Sequence, residues 1–94
     1  MTHREITLQD QPSQAPHAVA ELVDGQAVII HLRRGIYVSL NETGSFLWER
    51  LDGETSLEAI ARELAENYDV DITVTRPDVL DLVRELLAED LITL

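Results

Sequence analysis

The chain has no cysteine, and its seven basic residues are all arginine, so it has no lysine either. The lack of cysteine excludes disulfides, thiolate nucleophiles, iron–sulfur clusters and the usual structural zinc sites. The lack of lysine excludes Schiff-base catalysis and the lysine of a phosphate-binding loop. No apolar run approaches the roughly 20 residues that cross a bilayer, and the first residues lack the apolar core of a signal peptide. We therefore expect a cytoplasmic protein.

The chain does have enough large apolar residues to fold, despite a net charge of -11 over 94 residues. Leucine, isoleucine, valine and phenylalanine together are well above the level that marks intrinsic disorder. The length allows one small domain. Residues 1–16 are polar and contain Pro12 and Pro16, so we predict a flexible N-terminal segment there and a single domain over 17–94.

Three β-strands are predicted over 18–24, 26–32 and 36–40, because each stretch is rich in β-branched or apolar residues. Asp24 and Gly25 can supply the positive φ angles of a tight hairpin turn between the first two strands. Gly35 can do the same before the third strand. The expected arrangement is a three-stranded antiparallel meander.

Three helices are predicted after the meander. Asn41 is a suitable N-cap for the first, and the residues from Thr55 to Glu58 form a capping box before the second, whose apolar residues recur with helical spacing. Thr75 is expected to cap the third helix, with Pro77 in its first turn. The fold class is therefore α+β, resembling a winged helix-turn-helix.

No catalytic, metal or cofactor site is predicted. His3, His17 and His31 lack the spacing of a metal site, and no serine lies in a nucleophile pattern, so we expect no enzymatic activity. Ser56 lies at a helix start, similar to the serine of acyl or peptidyl carrier proteins, which remains an alternative. The third helix is acidic, which argues against DNA binding and leaves an acidic winged-helix interaction module as another alternative.

Two features exceed what a closed domain needs. The strand at 36–40 has an open edge without charge, proline or glycine. The apolar residues of the third helix span an arc of roughly 180°, whereas a core-facing helix needs about 100°. Together they predict addition of an extended peptide to the strand, with side chains against the helix. Burial of both features by the rest of the domain or by a homodimer is the other interpretation.

The sequence resembles the PqqD-like peptide chaperones, also called RiPP recognition elements, over residues 18–93. The resemblance is carried by AVIIHLRRGIYVSLNETG at 27–44, LWERLDG at 47–53, LEAIAREL at 57–64, YDV at 68–70 and DVLDLV at 78–83. Among the subfamilies, the sequence most resembles the free-standing leader-binding proteins of lasso peptide pathways. The members serving pyrroloquinoline quinone synthesis usually have a Tyr-Pro-Glu-Gly-like stretch where this chain has Arg33-Arg34-Gly35-Ile36.

This resemblance implies that the protein binds the N-terminal leader of a ribosomally synthesised precursor peptide and presents it to modifying enzymes. In a lasso pathway those partners are a cysteine leader peptidase and an ATP-dependent cyclase. The leader would add antiparallel to the third strand and pack against the third helix. Asp78 and Asp81 are expected to speed association of a leader that carries Lys or Arg. The implied peptide-binding residues are Ile36, Tyr37, Val38, Ser39, Leu40, Asp78, Val79, Asp81, Leu82, Val83 and Leu86.

Overall fold

A computed structural model describes residues 5–94, which form two small antiparallel sheets and three helices. The elements in chain order are β1 (Ser13–Gln14), β2 (Ala18–Val23), β3 (Gln26–His31), β4 (Tyr37–Ser39), α1 (Glu42–Glu49), α2 (Leu57–Asn67), α3 (Ile72–Ala88) and β5 (Ile92–Thr93). The predicted α+β class is confirmed.

The meander consists of β2, β3 and β4 in that spatial order. Asp24 and Gly25 join the first two strands with φ angles of 53° and 80°, which is the left-handed geometry that a tight hairpin turn requires. One face of the sheet packs against the helices, because Ala27, Ile29 and His31 alternate along β3 and are all buried. The predicted meander and its turn are confirmed.

The second sheet pairs β1, which precedes the meander, with β5, which follows α3. Ser13 in β1 lies opposite Thr93 in β5, and their hydroxyl oxygens are 2.9 Å apart. Ile6 and Pro12 before β1 are buried, as is Ala15 directly after it. Residues 6–15 are therefore packed onto the domain, although their sequence shows no period. The predicted boundary at residue 16 remains a prediction.

The helix starts agree with the sequence in one case and differ in two. Asn41 caps α1 as predicted, with its side-chain oxygen 2.8 Å from the amide of Gly44. The cap of α2 is Ser56, one residue later than the capping box predicts. The amide of Thr55, which Glu58 would accept in that box, donates to Asp52 instead, and the Glu58 carboxylate binds Arg76 at 2.9 Å.

The prediction for the start of α3 is wrong by one turn. The N-cap is Asp71, whose carboxylate accepts a 2.8 Å hydrogen bond from the amide of Thr73. Thr75 is buried inside the helix, and its hydroxyl donates to the carbonyl of Ala61 at 2.8 Å. The amide of Thr75 also donates to the carbonyl of Asp71 at 3.3 Å, so Thr75 is a helical residue and not the cap. Pro77 consequently lies inside the helix.

The core lies between the inner face of the meander and the three helices. Its fully buried members include Ile29 of β3, Leu47 and Trp48 of α1, Leu57, Ile60 and Ala61 of α2, Val79, Val83 and Leu86 of α3, and Leu91 and Ile92 at the end. No helix among residues 5–94 is long and apolar enough to cross a membrane.

Candidate peptide-binding site

Within residues 5–94, β4 has no partner strand on its outer edge, and there it exposes backbone groups at alternate residues. The amide of Leu40 donates to Ala27 of β3 at 2.8 Å, and the carbonyl of Ile36 accepts from His31 at 2.8 Å. In an antiparallel pair the hydrogen-bonded positions alternate, so residues 36, 38 and 40 direct their backbone groups toward β3. The N–H and C=O of Tyr37 and Ser39 therefore point toward the open edge.

The same alternation separates the side chains of β4 onto two faces. Val38 and Leu40 share the helix-facing side of the sheet with the buried residues of β3, whereas Tyr37 and Ser39 are exposed on the outer side. A strand added at this edge would continue the pattern. Every second side chain of the added strand would then face α3.

A groove runs beside this edge between β4 and α3, and we call it the strand–helix groove. Its volume is about 390 Å³, and its lining residues are Val38, Leu82, Glu85, Leu86, Ala88 and Glu89. A second cavity continues past Leu82 and Glu85, which line both. This second cavity, the acidic pocket, has a volume of about 340 Å³ and lies between the start of α1, the end of α2 and α3.

The helix residues predicted to contact the peptide lie at two depths. Leu82 is half-buried between the two cavities, and Asp78 and Asp81 are exposed on the rim of the acidic pocket. Val83 is fully buried and lines neither cavity. Val79 and Leu86 are also almost wholly buried, but each contributes to the wall of one cavity.

Sequence reasoning missed the far wall of the acidic pocket. Asn41 and Gly44 at the start of α1, Leu64 and Tyr68 at the end of α2, and Glu85 of α3 all line it. In the sequence these residues belong to three separate helices. No local pattern indicates that the three helix faces meet at one pocket. Gly44 has a packing role here, because a Cβ atom at this position would lie 3.3 Å from Leu82 Cδ2.

Two of the histidines meet in space, although they are far apart in sequence. His17 and His31 have ring centroids 4.4 Å apart, and the Nε2 atom of each lies within 3.3 Å of Asp90 Oδ2. His31 Nδ1 accepts the amides of Arg33 and Arg34, so the ring proton lies on Nε2 and points to Asp90. A metal ion bound at Nε2 of His31 would require the ring proton to lie on Nδ1, where it would point at the two N–H groups that Nδ1 now accepts. The hydrogen bonds of His31 therefore disfavour a metal ion at this cluster. His3 lies outside the described residues.

These contacts join the turn before β4 to the end of α3. The bond from His31 is the main cause that holds the pKa of Asp90 below its usual range, and the positive charge of Arg34 lowers it further. Arg34 also donates to the backbone carbonyl of Glu89 at 3.4 Å. The cluster therefore fixes the position of β4 relative to α3 at one end of the strand–helix groove.

Ser56, the residue considered for a carrier arm, is engaged in capping. Its hydroxyl accepts the amide of Ala59 at 3.1 Å. The preceding loop is held by Asp52, whose pKa is lowered chiefly by the amide of Glu54 and also by the hydroxyl and amide of Thr55. These bonds order the loop and the start of α2.

Comparison with solved structures finds the same fold in complexes with peptides. One is the structure of TbiB1 in complex with the TbiA(beta) leader peptide, 28% identical to this chain, with a TM-score of 0.78 over 85% of this chain and 93% of the other. Another is a lasso peptide synthetase B1 complexed with the leader peptide, 25% identical, with a TM-score of 0.80 over 89% and 99%.

A third match shows the fold at lower identity. It is the solution structure of the PqqD part of PqqCD from Methylobacterium extorquens, a stand-alone RiPP recognition element, 17% identical with a TM-score of 0.79 over 94% of both chains. No curated protein sequence matches the chain. The family model of coenzyme PQQ synthesis protein D (PqqD) matches residues 26–92, which is more than half of the sequence. The chain therefore belongs to the PqqD family.

Proposed function

We propose that this protein binds the N-terminal leader of a ribosomally synthesised precursor peptide as an added strand on β4. The observation that carries the proposal is the open edge at Tyr37 and Ser39, whose outward backbone groups adjoin a groove lined by Val38, Leu82 and Leu86. Backbone hydrogen bonds would supply affinity, and the groove would select side chains. The leader-peptide complexes of the two structural neighbours support this function.

The added strand runs antiparallel to β4. The meander is antiparallel throughout, and antiparallel pairs outnumber parallel ones two- to threefold. In this direction, the peptide residue opposite Val38 faces the strand–helix groove. Residues toward the peptide N-terminus pass Leu40 and approach Asn41, at the mouth of the acidic pocket.

The protein acts by presentation and performs no chemistry itself. Its partners are the leader peptide and, in a lasso peptide pathway, a cysteine leader peptidase and an ATP-dependent cyclase. Binding the leader and the enzyme together raises the effective concentration of the precursor at the enzyme. The description of a family member as a stand-alone recognition element supports this role.

The binding test uses a peptide obtained by affinity selection from a display library of random peptides, so that no leader sequence is assumed. We expect Leu82→Asp to abolish binding, because it places a charge between the two cavities. The matched control is Leu22→Asp, since Leu22 is 66% exposed on β2. Both variants are checked for folding by circular dichroism. A folded Leu82→Asp protein with wild-type affinity would contradict the proposed groove.

The presentation role is tested separately with a leader peptidase and its precursor. We expect faster cleavage when this protein is present and no acceleration with the Leu82→Asp variant. Equal rates with and without the protein would refute presentation. The carrier alternative predicts added mass on Ser56 after co-expression with a phosphopantetheinyl transferase, whereas we expect an unchanged intact mass.

A further inference from the structure

The acidic pocket combines an apolar floor with a negatively charged rim. The floor is formed by Leu47, Leu64, Tyr68, Val79 and Leu82, and the rim carries Asp78, Asp81 and Glu85. A volume of about 340 Å³ is at the low end of the range for ligand cavities, which suits one or two amino-acid side chains. The walls come from three helices, so the pocket is built by the tertiary fold.

The rim charges are only partly compensated by the protein. None of the pocket-lining residues is basic. Asp81 bonds to Arg84 at 3.1 Å, and Arg84 also reaches Glu5. Among the described residues, no ion pair reaches Asp78 or Glu85. The pocket therefore presents two carboxylates without a cation beside a surface that favours aliphatic groups.

Two other arginines are held by acids that do not line the pocket. Arg50 donates to Glu63 at 2.8 Å, and Arg76 binds Glu58 through two nitrogens. The same Arg76 contact is the main cause of the lowered pKa of Glu58, since it stabilises the ionised carboxylate. Within residues 5–94, these arginines thus leave Asp78 and Glu85 without a basic partner.

The pocket lies where a peptide leaving β4 would pass. Gly44 follows the strand closely in sequence, and its missing side chain allows Leu82 to approach the start of α1. Leu82 and Glu85 line both cavities, so the strand–helix groove leads into the acidic pocket. Same-face side chains of an extended peptide are roughly 7 Å apart. Consecutive α3-facing side chains can thus occupy first the groove and then the pocket.

Resting on the proposed function, we propose that the acidic pocket is a specificity subsite for a Lys or Arg side chain of the bound peptide. This residue lies N-terminal to the one opposite Val38. Its aliphatic stem covers the apolar floor, and its charged end reaches the carboxylates of Asp78 and Glu85. An aliphatic residue would leave these charges unpaired, and an acidic one would be repelled. The subsite thus selects one residue type at one register.

The first test is the sequence of peptides recovered by display selection. We expect Lys or Arg to be enriched on the N-terminal side of the residue that occupies the strand–helix groove. Selected peptides that protect the β4 amides but show no basic preference at this position would overturn the subsite while leaving strand addition intact. Failure of every selected peptide to protect β4 would overturn both proposals.

The second test is a double-mutant cycle on a selected peptide. The protein variant is Asp78→Asn with Glu85→Gln, and the peptide variant replaces the basic residue by norleucine, which keeps an aliphatic stem without charge. Two exposed ion pairs are each worth about 0.2–1 kcal/mol, so we expect the protein variant to weaken binding of the basic peptide about two- to thirtyfold. Its affinity for the norleucine peptide should not fall.

The control variant is Glu21→Gln with Glu54→Gln, which changes the net charge equally at exposed residues that line neither cavity. We expect this control to bind the basic peptide within twofold of wild type at about 0.15 M salt, because distant exposed charges are screened. Equal weakening by the control variant, or equal losses for the basic and norleucine peptides, would refute a defined subsite. Those results would indicate general attraction to an acidic surface.

Discussion

Hydrogen exchange at β4 distinguishes strand addition from binding elsewhere on the domain. In the free protein we expect rapid exchange at the amides of Tyr37 and Ser39, because they face the open edge. The amide of Val38 should exchange slowly, because it lies in the ladder with β3. Exchange measured residue by residue with NMR should therefore alternate along the strand before any peptide is added.

A peptide paired with β4 should slow exchange of the two outward amides by a factor set by its occupancy. At a free peptide concentration of 100 times Kd, about one molecule in 100 remains unbound, which corresponds to about 2.7 kcal/mol of stabilisation. Exchange at Tyr37 and Ser39 should then slow about 100-fold. These amides exchange from the folded state, so stabilisation of the fold without coverage of the edge would leave them fast.

The exchange rates of Tyr37 and Ser39 can therefore refute strand addition. If saturating peptide slows the core amides but leaves Tyr37 and Ser39 at their free rates, the peptide does not pair with β4. A scrambled peptide of the same composition is the control for nonspecific association. Proline at residue 38 would be a poor test, because it removes an amide directed toward β3 and would disturb the meander itself.

Three further predictions concern stability. In urea denaturation, the free energy of unfolding of His31→Gln should be about 1 kcal/mol lower than that of His31→Asn. The reason is that Asn keeps an acceptor near the position of Nδ1 for the amides of Arg33 and Arg34. The opposite order would contradict this role of Nδ1. Thr75→Val should lose about 1 kcal/mol relative to Thr75→Ser, which keeps the hydroxyl bonded to Ala61; equal stability would contradict the bond's contribution. Asp52→Asn should be less stable than wild type at neutral pH. The lowered pKa of Asp52 means that its contribution is present above about pH 4 and is lost as the pH falls through the folded-state pKa, so the difference in unfolding free energy should shrink in acid; a pH-independent difference would be inconsistent.

Local sequence determined the elements whose causes are local. The hairpin follows from Asp24-Gly25, since few residue pairs adopt two successive positive φ angles at low cost. The helical spacing of apolar residues predicted α2, and Asn41 predicted the start of α1. The strand at 36–40 could also be predicted with its uncharged edge, because strand propensity and the absence of charge are properties of single residues.

Choices between equivalent local signals needed the tertiary structure. The sequence favoured Thr75 as the cap of α3, whereas in the structure Asp71 caps the helix and Thr75 lies in the core, where it donates to Ala61 of the neighbouring helix. The apolar arc of the third helix is too wide for the sequence to show whether Val83 or Leu82 faces the groove. Packing against α2 and the sheet turns Val83 into the core and leaves Leu82 between the two cavities.

The candidate site itself divides in the same way. The sequence by itself determined an acidic, cysteine-free α+β domain with a free strand edge and a largely apolar last helix. Only the tertiary structure decided that Tyr37 and Ser39 direct their backbone groups outward, and that Asp78 and Glu85 rim a pocket whose far wall includes Leu64 and Tyr68. The physical reason is that hydrogen-bond register and the meeting of three helix faces depend on contacts between residues far apart in the chain, which no local period encodes.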